Sequence, residues 1–458
     1  MIKGLDILKH LSVIMIICLL CVNIHAAEPE KTDIALVDRF TFPGEHMEGS
    51  MWSAVYGAKS GKIYIGLCTH AEAAHFYEFD PETEIMRHIA DLTVFQRERG
   101  KGIRTTGKIH TRMGEDEEGN VYFGGLCEDT GPEPIDPSSY EGPHWYRYNP
   151  TKDRLEDLGL ISRHWGLLGM IMDTKYMALF GLAEDGHLYK YDIKKGMTFD
   201  LGRVDDWDIC RTIFADDEGN IYGSFPVAQI WKYNPVTDQV IDFPYIRLEY
   251  DMRVLPRTMS KPMIDRKVIW RVIEWDPIDQ VAYGIMGGTS TLFKYDPHDG
   301  REGKITPLLK MCAPQYRSDD IDIVRQTPFS TLALTISNEH ILWYAPVMSG
   351  SFDYTGHSWD VRDEEKFSAK LAGGHYPPLS VLVSYDLDKD ERRDHGQMRT
   401  TDGRLVYGLG GACTGQKDGK IYFVGAVEEG DPDKIVAKVA RKWPYSMALV
   451  AYDPKSQE

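Results

Sequence analysis

The sequence predicts an all-β fold: a seven-bladed β-propeller closed by an N-terminal strand that completes the last blade. Two observations carry this. A short unit recurs seven times, an aromatic-rich strand ending in Tyr or Phe, then Asp or Asn, often Pro, then a polar turn. A second strand-like unit, opening at a Gly- or Asp-containing turn and alternating thereafter, precedes many of the copies.

The first unit reads FYEFDPET around Asp80, WYRYNPTKD around Asn149, LYKYDIKKG around Asp192 and IWKYNPVTD around Asn234. It continues as LFKYDPHDG around Asp296, LVSYDLDKD around Asp386 and LVAYDPKSQ around Asp453. The intervals are 69, 43, 42, 62, 90 and 67 residues, which suits blades with loop insertions better than a fixed-period solenoid. The second unit is GKIYIG at Tyr64, GNVYFGG at Tyr122, GNIYGS at Tyr222, VAYGIM at Tyr283 and GKIYFVG at Tyr422. Before it lies an apolar stretch such as RTIFADDEGN. After the Asp-Pro turn comes a fourth, such as RLEDLGLI. Four strands per repeat is the make-up of a propeller blade. The last repeat stops at Tyr452-Asp453-Pro454 without an outer strand, and Asp33–Phe42 resembles one. Pairing the two closes the ring and removes an exposed sheet edge. A helix is expected near Asp431–Lys442. An insertion at about 349–378, rich in Gly, His and Tyr, is expected to fold over one face as a lid or rim.

The N-terminus has an export pattern. Lys3 and Lys9 precede an apolar run from Leu11 to Val22, and Ala26 and Ala27 offer a cleavage site. Residues 1–27 read as a signal peptide, leaving 28–458 as a single domain that is secreted or periplasmic. No integral membrane segment is expected after cleavage. Of 458 residues, 42% are apolar and 27% charged, a globular mix. The net charge of −18 disfavours a nucleic-acid binder, yet leaves room for one basic groove. Beyond Cys18 and Cys21, five dispersed cysteines (Cys68, Cys127, Cys210, Cys312 and Cys413) do not form a disulfide framework.

Aligning the repeats places residues on one face. The start of the inner strand holds Trp52, His110, Arg211 and Arg271; the start of the third strand holds His75, His144, His187 and Gln229. His110, Arg211 and Arg271 should therefore ring the channel mouth, with His75, His144 and His187 farther out. Each residue alone has an alternative: the histidines bonding a neighbouring backbone, the arginines bridging blades. Together they suit a site that binds an anion and moves protons. For a metal, Cys413 in GACTG with His375 and His395 is a weak donor set, without CxxC or HxxxH spacing; the alternative is a buried thiol. The DEEGN and DDEGN runs lack EF-hand spacing and read as turns.

The run GKIHTRMGEDEEGNVYFGG, Gly107–Gly125, resembles the inner-strand segment of propeller-type ulvan lyases and their relatives. The segments GPHWYRYNP, GHLYKYD and GACTGQKDGKIYFV are also similar to that group. The resemblance implies a secreted, seven-bladed lyase that cleaves an anionic, uronate-containing polysaccharide by β-elimination. It implies no cofactor for the chemistry, a structural zinc or calcium, and a monomer. By the same resemblance His110 matches the inner-strand histidine and His144 the histidine opening the same blade's third strand. Tyr189 is the candidate for the tyrosine one blade on, and Arg211 for the carboxylate-binding arginine. His144 or Tyr189 would serve as base and acid, while His110 and Arg211 hold the carboxylate; Arg271, His75 and His187 would contact substrate. An acidic, Pro-rich insertion within Leu126–Gly142 and a long Tyr189-to-Arg211 spacing depart from the group's pattern. A propeller hydrolase or lactonase with a channel metal, and a non-catalytic glycan- or protein-binding propeller, are the competing classes.

Overall fold

The computed structural model describes residues 34–44, 50–68, 73–98, 105–128, 141–204, 212–225, 229–243, 270–286, 290–312, 331–348, 379–407, 410–428 and 445–456. The export segment, the insertion at 349–378, the helix expected at 431–442, Arg211 and His375 lie outside the described residues.

The chain begins with β1 (Ile34–Thr41). The first blade is β2 (Ser50–Gly57), β3 (Lys62–Cys68), β4 (Ala74–Asp80) and β5 (Ile85–Asp91). It runs into α1 (Leu92–Phe95), the one α-helix among the described residues, whose first N–H groups are capped by Asp91. Next come β6 (Thr105–Lys108), β7 (Gly114–Glu115), β8 (Val121–Gly124), β9 (Leu126–Glu128), β10 (His144–Asn149) and β11 (Arg154–Leu160). Of these, β7, β8, β10 and β11 form the second blade, and β6 pairs with β9 beside it. The third blade is β12 (Leu167–Asp173), β13 (Ala178–Ala183), β14 (His187–Asp192) and β15 (Met197–Arg203). The fourth is β16 (Phe214–Ala215), β17 (Ile221–Phe225), β18 (Gln229–Asn234) and β19 (Gln239–Phe243). The fifth is β20 (Trp270–Asp276), β21 (Val281–Met286), β22 (Thr291–Asp296) and β23 (Lys304–Lys310).

The remaining strands share one ten-stranded sheet. They are β24 (Leu334–Ile336), β25 (Ile341–Tyr344), β26 (Val347–Met348), β27 (Leu379–Asp386), β28 (Glu391–Thr400), β29 (Val406–Tyr407), β30 (Ala412–Thr414), β31 (Ile421–Glu428) and β32 (Tyr445–Tyr452). The order is β24-β25-β27-β28-β1-β32-β31-β29, with β26 on β27 and β30 on β31. Strand β1 is antiparallel to β32, Val37 opposite Tyr452, and parallel to β28, Ile34 opposite Gln397. The fold is thus an all-β propeller with five separate four-stranded blades and one larger sheet, rather than seven discrete sheets. The parallel β1–β28 contact makes the difference, since it joins two runs of strands that the repeats alone would keep apart. No helix among the described residues is long and apolar enough to cross a membrane.

The recurring residues have local causes. The repeated Asp or Asn folds the outer hairpin by accepting backbone N–H groups two or three residues on. Asp80 takes Glu82 and Thr83, Asn234 takes Val236 and Thr237, and Asp386 takes Asp388 and Lys389. Four residues after it, Glu84, Asp153, Asp238 and Asp390 sit at φ 57, 48, 56 and 59°. At three of these turns the strand tyrosine donates its hydroxyl to that left-handed aspartate: Tyr148 to Asp153, Tyr233 to Asp238 and Tyr385 to Asp390. The inner hairpins use a second device. Asp116 accepts from the backbone N–H of Glu118 and Asn120, the Asn120 amide and the Tyr122 hydroxyl; Asp216, Asn220 and Tyr222 repeat it. Protein donors fill these carboxylates, so DEEGN and DDEGN are hydrogen-bonded turns.

Blades meet through their apolar faces. A Cβ on Gly66 would lie 2.6 Å from Ile109 of the next repeat, and one on Gly124 2.4 Å from Leu167. Two buried histidines lock the seams with opposite charge states. His340 bonds Asp276 through Nε2 at 2.8 Å and Asp388 through Nδ1 at 2.7 Å, tying the fifth blade to the ten-stranded sheet. Burial pushes its pKa down, but the two carboxylates outweigh this and leave it above the ordinary value. His395 bonds Ser384 at 2.8 Å and the Tyr452 hydroxyl at 2.9 Å, and burial pushes it down to about 4.

Two pH effects follow. Because burial holds His395 at about 4, below an unfolded histidine near ~6.5, folding loses up to about 3 kcal/mol as pH falls from ~6.5 toward ~4 and the unfolded chain takes up the proton. Urea denaturation at about pH 7.5 and pH 4.5 should show H395Q losing less stability on acidification than the wild type. His340 has the opposite sign. Its contribution is full below the unfolded value and fades as pH rises through its raised one. The stability gap between wild type and H340Q should therefore be wider at about pH 5.5 than at about pH 9.

Candidate functional site

The inner strands converge on a small pocket at the ring centre. Ser53 comes from the first blade, His110 and Arg112 from the segment before β7, Thr212 from that before β16, and Leu334 and Ala412 from the ten-stranded sheet. His110 is 2% exposed, and its Nδ1 donates to the Leu168 carbonyl of the third blade at 2.8 Å. A carbonyl only accepts, so Nδ1 carries a proton. Arg112 reaches across the ring to Glu274 on β20 at 2.8 Å. Burial raises the Glu274 carboxyl and Arg112 pulls it back, leaving it above the ordinary range. Ser53 Oγ is buried without a hydrogen-bond partner among the described residues.

The other predicted residues fall into distinct places. Arg271 is half-buried at the start of β20, the register position expected. His144 and His187 open β10 and β14 and His75 is the second residue of β4, also as aligned, but none lines the central pocket. Each is bonded to the outer strand of its own blade. His144 Nδ1 donates to Asp157 at 2.7 Å, and Gly159 N donates to the same oxygen at 2.8 Å. His187 and Gly202 N do the same to Asp200, at 2.9 and 2.8 Å. Gly159 and Gly202 have φ of 100 and 92°, and the register slips beside each histidine. The repeated Asp-Leu-Gly is a β-bulge that the histidine pins. His75 shares a 2.9 Å hydrogen bond with His88 at the corresponding place. Burial raises the Asp157 carboxyl, but the His144 and Gly159 bonds outweigh this and hold it below the usual range.

Tyr189 donates its hydroxyl to Asp185 at 3.0 Å, with Ser162 also in reach; burial and Asp185 push the phenol well above its ordinary value. It stays protonated, which suits an acid and not a base. Tyr189 meets Ser162 of the loop from Ile161 to Gly166, and His144 lies at the start of that loop. Leu160 pairs with His144 just before it, and Leu168, just after it, holds His110. His110 and His144 flank β8, on the order of 10 Å apart at two strand spacings.

Cys413 is buried in an apolar cluster that raises its thiol well above the usual value, which makes it a poor metal ligand. Among the described residues, the potential metal-ligating trio is Asp276, Asp279 and His340, and neither Cys413 nor His395 belongs to it. Both His340 nitrogens are already bonded to carboxylates, and Asp279 takes the Tyr283 hydroxyl.

No known family profile matches the chain, and no curated protein is similar to it in sequence. Solved structures are similar in shape. One is a streptogramin B lyase, at TM-score 0.50 and 10% identity, covering 90% of this chain and 96% of that one. The chain is a β-propeller. A catalytically inactive variant of virginiamycin B lyase from Staphylococcus aureus, with quinupristin, superposes at TM-score 0.50 and 8% identity, covering 91% of this propeller and 98% of that chain. Such identities speak to fold alone.

Sequence reasoning missed Arg112, Glu274 and the loop residues Arg163, His164 and Trp165. Arg112 was readable, since it lies two residues after His110 and alternate residues share a face. Glu274 carried no signal, because its partner is far away in sequence. R112M should leave the half-buried Glu274 without its cation and lower the melting temperature by about 2–4 °C. Adding E274Q should restore most of that loss; additive thermal shifts would mean that the two side chains are not coupled.

Proposed function

We propose that this propeller is a secreted carbon–oxygen lyase that opens a uronate-containing polysaccharide by β-elimination. We read the ten-stranded sheet as two blades joined through β1, which gives seven. The main support is that His110 and His144 each have Nδ1 held to an acceptor, on the face where Tyr189 keeps its phenol proton. The partly exposed His144 ring thereby offers Nε2 to a substrate.

In this reading the substrate carboxylate sits against Arg112 at the ring centre, with Arg211 and Arg271 as the further cations the repeat alignment assigns to it, while His110 orients it. Neutralising that charge makes the C5 proton removable. His144 Nε2 takes the proton, and Asp157 stabilises the resulting imidazolium. The C5–H electron pair forms the C4=C5 bond, the C4–O4 bond breaks, and Tyr189 supplies the proton to O4. One observation favours a second reading, a glycan-binding propeller without catalysis: the His187–Asp200 pair repeats the His144–Asp157 pair, so the pair also has a purely architectural use.

The deciding experiment follows absorbance near ~235 nm, where the new unsaturated uronate would absorb, on ulvan, other glucuronans, glycosaminoglycans and plant gums. At least one polymer should give a rise. H144A should slow it by about a hundredfold or more, while H187A should leave it within a few-fold. A flat trace on every polymer favours the binding reading.

A further inference from the structure

We propose that Trp165 is the sugar-stacking platform of the binding groove, with Arg163 beside it meeting the carboxylate of the stacked ring; this rests on the polysaccharide reading above. The loop that carries them is fixed. Ile161 N bonds Pro143 O at 2.8 Å, Leu167 N bonds Gly125 O at 3.0 Å, and Glu184 N bonds Gly166 O at 2.9 Å. Gly166 N donates to the Glu184 carboxylate at 2.9 Å, and Ser162 Oγ donates to Trp165 O at 2.7 Å. His164 holds φ at +73°, which turns the chain at the loop's tip.

A loop pinned at five points presents its indole 44% exposed. Were Trp165 there to pack, the same ties would hold it inward, as they hold Ile161 and Leu167, which are 3% and 0% exposed. Its position is also specific. Ser162 reaches the Tyr189 hydroxyl, Leu160 pairs with His144, and Leu168 holds His110, so the loop that carries the indole adjoins three residues assigned to the chemistry. An indole has a broad apolar face and a polar edge, which suits the C–H face of a sugar ring with hydroxyls around it. Arg163 is exposed on the same turn, and a guanidinium fork fits a planar carboxylate.

The test measures binding separately from cleavage. Calorimetric titration of the mature protein with ulvan and with glucuronan, and with neutral xylan as control, would compare wild type, W165A, W165F and R163A. W165A should weaken uronate-polymer binding about tenfold, and W165F should recover most of it. R163A should weaken the uronate polymers and leave xylan unaffected. Where cleavage occurs, W165A should raise KM with kcat within about twofold, since a platform binds ground and transition states alike. Its melting temperature should stay at the wild-type value. Equal binding by wild type and W165A, or no uronate polymer bound by the wild type, would overturn the platform. Binding lost in W165A without any unsaturated product would sink elimination and leave the platform standing.

Discussion

The backbone hydrogen bonds between β1 and β32 hold the ring together. Five residue pairs, from Val37 with Tyr452 to Thr41 with Ala448, join the start of the chain to its end. The central pocket exists only because they do. Its lining comes from the first, second and fourth blades and from the ten-stranded sheet, so residues as far apart in sequence as Ser53 and Ala412 meet there. The Arg112–Glu274 pair is the same constraint seen from inside, a contact between blades that meet only across a closed ring. Covering β1 on both sides also hides the backbone groups that an open sheet would offer to another chain.

The chemistry of the site is set by how each histidine is held. His340, between two carboxylates, is a cation that staples blades. His395, among hydroxyls and an indole, is neutral and titrates only in acid. His110 and His144 each commit Nδ1, the first to the Leu168 carbonyl of the next blade and the second to Asp157 of its own. One residue type thus serves as staple, core filler and candidate base, and the partner of the second nitrogen makes the difference.

Much of this was legible in the sequence. The turn Asp and Asn, the strand tyrosines and the closing strand could be read because each is demanded by local geometry that recurs. The strand starts were equally readable, so His75, His144 and His187 fall where the alignment put them. Their partners were not foreseen, although the sequence held a clue: His144 to Asp157 and His187 to Asp200 have the same spacing, and a glycine follows each aspartate by two residues. Trp165 was overlooked because loops between repeats have no periodicity to align. The joining of the last strands into one sheet was also hidden, since strand repeats say nothing of parallel contacts between neighbouring outer strands.

The β1 pairing also imposes an order in time. Strand β1 is made first, while its partners β28 and β32 follow more than three hundred residues later. Until the ribosome has made β28, β1 has no edge to join. The five separate blades, each a local meander, can form during synthesis, but the ring cannot. A stalled or truncated chain would thus carry folded blades and an unmatched leading strand, a species open to capture by chaperones or by another copy of itself.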